Sequence, residues 1–183
     1  RHHSYYAQRQ RISGQKGKWM TVSKDLFKQT VGSFPTGITV TTAYAADGQV
    51  VGMTASAFSS VSLDPLLVLM CPAKDAECYS ALTEANYFSI HFLAGDQGPL
   101  AWQFAKSDVD KTQGLSLDKG PNGSPKIQGC LAYLECRHHA LYEGGDHGIL
   151  VGEVMHIELP ETDREPLVYC KSALGPLSPI DAH

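Results

Sequence analysis

The chain has no apolar run approaching about 18 residues and no charged opening followed by an apolar segment, so neither a membrane span nor a secretory signal is expected. It has no excess of positive charge. With a formal net charge of -4, a nucleic-acid partner is not expected, because such a protein needs a basic patch or stripe. Paired Cys-x-x-Cys motifs are missing, and the five cysteines are odd in number, which argues against a disulfide framework and for reduced thiols in a cytoplasmic protein. Cys136, His138 and His139 are close in sequence, but no zinc-hydrolase spacing accompanies them, so no metal is expected. Also lacking are a Gly-x-Ser-x-Gly elbow, a P-loop and a Gly-x-Gly-x-x-Gly fingerprint, which sets aside a serine hydrolase and a separate nucleotide-binding domain. No internal repeat is visible.

What is present is an ordinary globular composition: 183 residues, 43% hydrophobic and 19% charged, enough for one domain with a core. Residues 1–19 are basic and aperiodic and read as a disordered leader, leaving residues 20–183 as the single domain. Ser23 can cap a helix with Leu26, Phe27, Thr30 and Val31 on one face and Gly32 at its end. Alternation predicts a strand over Pro35–Thr42, and Asp47-Gly48 predicts a hairpin into Gln49-Val50-Val51.

The stretch from Gly52 to Pro65 interleaves small and hydroxyl residues and reads as a polar loop ahead of the strand Leu66–Cys71. A short helix within Asp75–Ala85 and a strand Phe88–Phe92, with Phe88, Ile90 and Phe92 inward, come next. A helix opening at Pro99 carries Leu100, Gln103 and Phe104 on one side. Residues 107–128, rich in Gly, Pro, Asn and Lys, are predicted as a long exposed loop. Strands over Cys130–Cys136, Gly148–Leu159 and Leu167–Cys170 complete a mainly β chain with short helices, read as an antiparallel β-barrel.

Several motifs in order carry a resemblance: Phe34-Pro35-Thr36-Gly37-Ile38-Thr39-Val40-Thr41-Thr42, then Thr54-Ala55-Ser56-Ala57-Phe58, then Pro125 to Cys136. Gly145-Asp146-His147 with Val151-Gly152-Glu153-Val154, and Glu165 to Tyr169, follow. From about Leu26 to about Leu177 the chain resembles the flavin reductase-like family. The resemblance implies an FMN-binding split barrel, a homodimer, and reduction of FMN or FAD by NADH or NADPH. It also implies a separate monooxygenase that receives the reduced flavin; a carrier or sensor that keeps its flavin is the alternative.

By resemblance His147 contacts the nicotinamide, where a bland reading makes it a turn histidine held by Asp146. The implied flavin-binding set is Thr36, Thr54, Ala55, Ser56, Ser60, Ser62 and Cys71, with Phe104 packing on a ring and Lys111 neutralising phosphate. The family's Ser/Thr/Asn-rich stretch after the third strand reads Pro72-Ala73-Lys74-Asp75-Ala76-Glu77 here, which makes Lys74 the substitute phosphate ligand. Leu66, Val68 and Met70 are the apolar strand surface expected to meet a second copy.

Overall fold

The computed structural model describes residues 22–177, so the expected leader at residues 1–19 lies outside them. Ser23 caps α1 (Lys24–Gly32) by accepting the Leu26 N–H at 3.1 Å. None of the helix's residues is buried, and Leu26, Phe27 and Val31 leave an apolar face open to solvent.

Strands β1 (Thr36–Gly37), β2 (Thr39–Tyr44), β3 (Val50–Ala55), β4 (Phe58–Leu63) and β5 (Leu66–Met70) precede α2 (Tyr79–Glu84). After β6 (Tyr87–Phe92) and α3 (Gly98–Ala105) come β7 (Leu117–Lys119), β8 (Pro125–Ile127), β9 (Ala132–Gly144), β10 (His147–Glu158), β11 (Leu167–Cys170) and β12 (Ala173–Pro176). Seven strands form one antiparallel sheet in the order β3-β2-β6-β9-β10-β5-β4.

The two edges of this sheet, β3 and β4, are consecutive in the chain and joined by Ser56 and Ala57 alone. Three Cα–Cα steps span at most about 11 Å, whereas the outer strands of a flat seven-stranded sheet lie about 29 Å apart. The sheet must therefore curl until its edges meet at this end, which makes it a split barrel. Its interior is filled by Ala43, Ala55, Val68, Met70, Phe88, Ile90, Leu134, Cys136 and Leu150. A second cluster, with Ile38, Val40, Leu93, Leu100, Phe104, Ile127 and Leu167, lies where α3, β8 and β11 cover the barrel.

The structure corrects several expectations. Gly52–Pro65 is not a loop but most of β3 and all of β4; Ser and Thr are tolerated there because these are edge strands with a solvent-facing side. Val68 and Met70 are buried in their own barrel, so of the expected dimer surface only Leu66 is exposed. Residues 107–128 are not wholly an exposed loop: β7 and β8 pair antiparallel, and Ser124 and Ile127 are buried. Strands of three or four residues are too short for alternation to register, which holds for β12 as well as for β7 and β8. Finally, β6 buries both faces, with Ser89 and His91 as inaccessible as Phe88 and Ile90.

That second face is a polar seam. The Glu135 carboxylate, fully buried, accepts from the Asn122 backbone N–H at 2.9 Å and Asn122 Nδ2 at 2.8 Å, and from the Ser124 backbone N–H at 3.1 Å and hydroxyl at 2.7 Å. Burial works against its charge, but these donors hold its pKa below the ordinary value. His91 is fully buried beside it: Nδ1–H donates to the Val40 carbonyl at 3.0 Å and Nε2 accepts the Ile127 N–H at 3.0 Å.

Burial holds the His91 pKa down at about 4, against 6.5 for a free histidine. A base whose folded pKa is depressed binds its proton first in the unfolded chain, so stability falls as pH drops from about 6.5 toward about 4. Between about pH 7 and about pH 5 the expected loss from this residue is about 2 kcal/mol. Denaturant unfolding should show that slope in the wild type and a markedly smaller one in His91→Gln, even though the variant starts less stable; equal slopes would refute the assignment.

Candidate functional site

Gly52 is where the outer face of the barrel becomes concave. A Cβ there would overlap the Thr41 carbonyl oxygen and meet Phe104 Cε1 at 3.0 Å, so the missing side chain is what lets α3 settle onto β3. The Thr54 hydroxyl then donates to the Ala101 carbonyl at 2.6 Å, fastening the helix to the strand. Between β3 and the segment that follows α3 lies a cleft of about 650 Å3, lined by Gly52, Met53, Thr54, Phe104, Lys111 and residues 76–78 among others. That is within the usual size of a small-ligand site.

Lys111 does not stand free in this cleft. Its ammonium donates to the carbonyls of Gln103 and Phe104, both at 3.3 Å, and to that of Lys106, closing the C-terminus of α3. Gln103 answers in the opposite direction, donating from Nε2 to the carbonyls of Lys111 and Gln113 at 3.0 Å each. The segment is thus strapped back onto the helix. Phe104 is almost wholly buried against Gly52, so the structure gives it a packing role and only an edge in the cleft.

A second cleft of about 300 Å3 opens beside the Ser56–Ala57 link. Thr36, Ser56, Phe58, Phe92, Pro166 and Leu167 line it, with Phe58 edge-on to Phe92 at 5.0 Å between centroids. The Thr36 hydroxyl is buried and has no hydrogen-bond partner among the described residues, an unspent donor and acceptor at an apolar wall. Thr54 lines the first cleft and Ser56 the second, while Ala55 between them packs in the barrel core. One short stretch of chain therefore lines both clefts.

The rest of the expected set is more scattered. Ser60 is exposed on β4, and the Ser62 hydroxyl accepts the Asp64 N–H at 3.2 Å, so it serves the β4–β5 turn. Cys71 is half-buried, and burial pushes its thiol pKa up. Lys74 lies against the tip of the β9–β10 hairpin: its ammonium pairs with Glu143, and its N–H donates to the Asp146 carbonyl at 3.0 Å. An isolated bridge joins Ala73 to His147, so Lys74 and His147 belong to one assembly, and neither lines the two clefts. His147 Nδ1 lies 2.8 Å from Asp146 Oδ1.

Sequence reasoning had no role for Glu143, and it placed Phe92 in the core, against which it does pack, without showing that it also forms a wall of the second cleft. Glu143 could have been found only through strand register, which pairs it with Gly148 two residues beyond the turn.

A family model described as a flavin reductase like domain matches residues 31–178. The FMN reductase (NADH) SmoA of Agrobacterium fabrum is 41% identical over 152 residues, covering 83% of this chain and 85% of that protein. The reductase subunit HsaB of a flavin-dependent monooxygenase from Rhodococcus jostii is 34% identical, covering 78% of this chain and 73% of that one. Among solved structures, the NADH:FAD oxidoreductase SgcE6 of Streptomyces globisporus, in complex with NAD and FAD fragments, superposes with a TM-score of 0.79 at 38% identity, over 85% of this chain and 93% of that chain.

The Gly52 contact sets both the fold and the cleft, and it predicts a sharp penalty. Gly52→Val should destabilise the protein by about 1–3 kcal/mol, since neither the Thr41 carbonyl nor the packed Phe104 ring can retreat freely. Chemical denaturation would measure it, and a change below about 0.5 kcal/mol would show that α3 floats on the strand.

Proposed function

The chain belongs to the flavin reductase-like family, and from that premise we propose how it acts: as an oxidoreductase that uses NADH or NADPH to reduce FMN or FAD, supplying reduced flavin to a separate monooxygenase. The observation that carries the site assignment is the Thr54–Ser56 stretch with a cleft on each side, which suits a ligand with a planar ring at one end and a phosphate-bearing tail at the other. The ring fits the apolar second cleft, where Phe58 and Phe92 give apolar contact and the unpaired Thr36 hydroxyl meets a ring carbonyl or nitrogen. Backbone groups of Ala55 and Ser56, with the Ser60 hydroxyl, supply further neutral donors.

Bound flavin accepts a hydride from the nicotinamide, and this needs no protein nucleophile. The chain's task is placement. It orients the ring, holds donors where negative charge builds up on reduction, and keeps that region dry with Phe58, Phe92 and Leu167. His147, on its turn, faces the nicotinamide nucleotide. Lys74 serves the flavin phosphate by leaving Glu143, and Lys111 does so only by giving up carbonyls of α3.

A homodimer is part of this reading. Leu26, Phe27, Val31 and Phe34 are exposed around α1, and Leu63 and Leu66 at the β4–β5 corner, and a second copy would cover them. The five cysteines are all free, as suits a reducing cytoplasm. No helix among the described residues is long and apolar enough to cross a membrane.

Steady-state assays with each nucleotide and flavin pair test the activity: absorbance of the nucleotide should fall only when FMN or FAD is supplied, and no loss with any flavin would refute it. Lys74→Ala separates the phosphate role from general damage. It should raise the FMN Michaelis constant about tenfold while leaving riboflavin, which has no phosphate, unchanged; equal FMN kinetics in both proteins would assign the phosphate to backbone N–H groups and hydroxyls instead.

A further inference from the structure

The β9–β10 hairpin turns on two residues, Gly145 and Asp146, because His147 pairs with Gly144 across it. Gly145 has φ 79, the left-handed conformation such a turn requires at its first position. The tip is not loose. The Lys74 N–H holds the Asp146 carbonyl at 3.0 Å, the Gly148 N–H holds the Pro72 carbonyl at 2.9 Å, and Tyr79 packs so closely over Gly148 that a Cβ there would lie 2.8 Å from its Oη. On this platform the Asp146 carboxylate sits 2.8 Å from His147 Nδ1.

An ionised carboxylate only accepts, and the His147 hydrogen bond holds Asp146 below its ordinary pKa, so the proton between the two belongs to Nδ1. In the neutral ring Nε2 is then an acceptor. Among the described residues it has no hydrogen-bond partner, and the side chain is 45% exposed.

We infer that Asp146 is a positioning residue: it fixes His147 in the Nδ1–H tautomer so that Nε2 accepts a hydrogen bond from the carboxamide N–H of the nicotinamide. The inference rests on the proposed reading that His147 faces the nicotinamide nucleotide. A nicotinamide nucleotide offers phosphates, which are acceptors and need a donor opposite them, ribose hydroxyls, which do both, and N–H donors on the adenine at one end and on the carboxamide at the nicotinamide end. A lone pair on Nε2 matches the carboxamide. It also discriminates: a pyridine nucleotide bearing an acetyl group in place of the carboxamide keeps the carbonyl but brings no donor.

Two measurements on the full chain test this. Nitrogen-15 correlation spectra of the histidine rings read the tautomer directly, with no turnover required; His147 should be protonated on Nδ1 in the wild type and become a mixture in Asp146→Ala. Steady-state kinetics then compare NADH with reduced 3-acetylpyridine adenine dinucleotide, using FMN as acceptor. The wild type should favour NADH, and the ratio of the two kcat/KM values should fall about threefold to tenfold in Asp146→Asn and Asp146→Ala, mostly through KM for NADH. The analogue's different intrinsic reactivity cancels when one ratio is compared between proteins.

A ratio that stays constant while both activities decline would mean that Asp146 merely supports the turn, and it overturns the inference. So does a wild-type ring protonated on Nε2. A wild type that oxidises neither nucleotide with any flavin refutes the proposed enzyme instead, and the spectra would still decide which ring nitrogen of His147 carries the proton beside Asp146.

Discussion

Everything in this molecule follows from a link too short for a flat sheet. Ser56 and Ala57 join the two outermost of seven strands, and no twist of an open sheet brings its edges within reach of two residues. Closure at that end puts Met70, Phe88, Ile90 and Leu150 inside, each with no accessible surface. It also leaves the seam between β3 and β4 unpaired away from the link, since those strands are not hydrogen-bonded neighbours. A barrel split in this way gains a closed core and keeps an edge along which a ligand can lie, with the end of β3 and the link, Thr54 to Ser56, at the point where the edges converge.

The outside of the barrel is held by different physics. Four donors on one buried carboxylate, and a histidine satisfied on both nitrogens, tie β8 and its turn to β6 and β9. Such a seam is favourable only when complete, because a single missing partner leaves a desolvated polar group. Gly120 shows how tightly the turn is drawn in: a Cβ there would overlap Tyr133 Oη and Glu135 Oε1. With β8 fixed, Ile127 joins the cluster beneath α3, so a polar clasp on one side of the sheet steadies the apolar wall of the larger cleft.

How much of this was legible in the sequence depended on the length scale of each signal. The Ser23 cap, the Asp47-Gly48 hairpin and the long strand β10 announce themselves through local chemistry and alternation, whereas the expected strand Cys130–Cys136 covers only the start of β9, which runs on to Gly144. The clasp does not. Glu135 reads as a polar residue in a strand, Asn122 and Ser124 as turn residues, and only register across β6 and β9 shows that Ser89 and Glu135 are neighbours on one face. The polar stretch around Ser59 and Ser60 misleads in the other direction, since small hydroxyl residues on an edge strand look like a loop. Of the candidate site, Thr36, Thr54, Ser56, Phe104 and Lys111 prove to line clefts, while Lys74 and His147 gather at a hairpin tip through bridges that no spacing rule could supply.

The charges around the clefts carry a final consequence. Both lysines of the candidate set are already engaged, Lys111 by carbonyls of α3 and Lys74 by Glu143. A phosphate that recruits either one gains only the difference between the new contact and the old, and loses whatever helix closure or hairpin docking the old contact gave. At the exposed Lys74 the existing pair is itself screened by water, so little opposes the exchange; at Lys111 the cost includes carbonyls left without a donor at a helix end. The physical asymmetry therefore makes Lys74 the more readily recruited of the two and ties Lys111 to the architecture of α3.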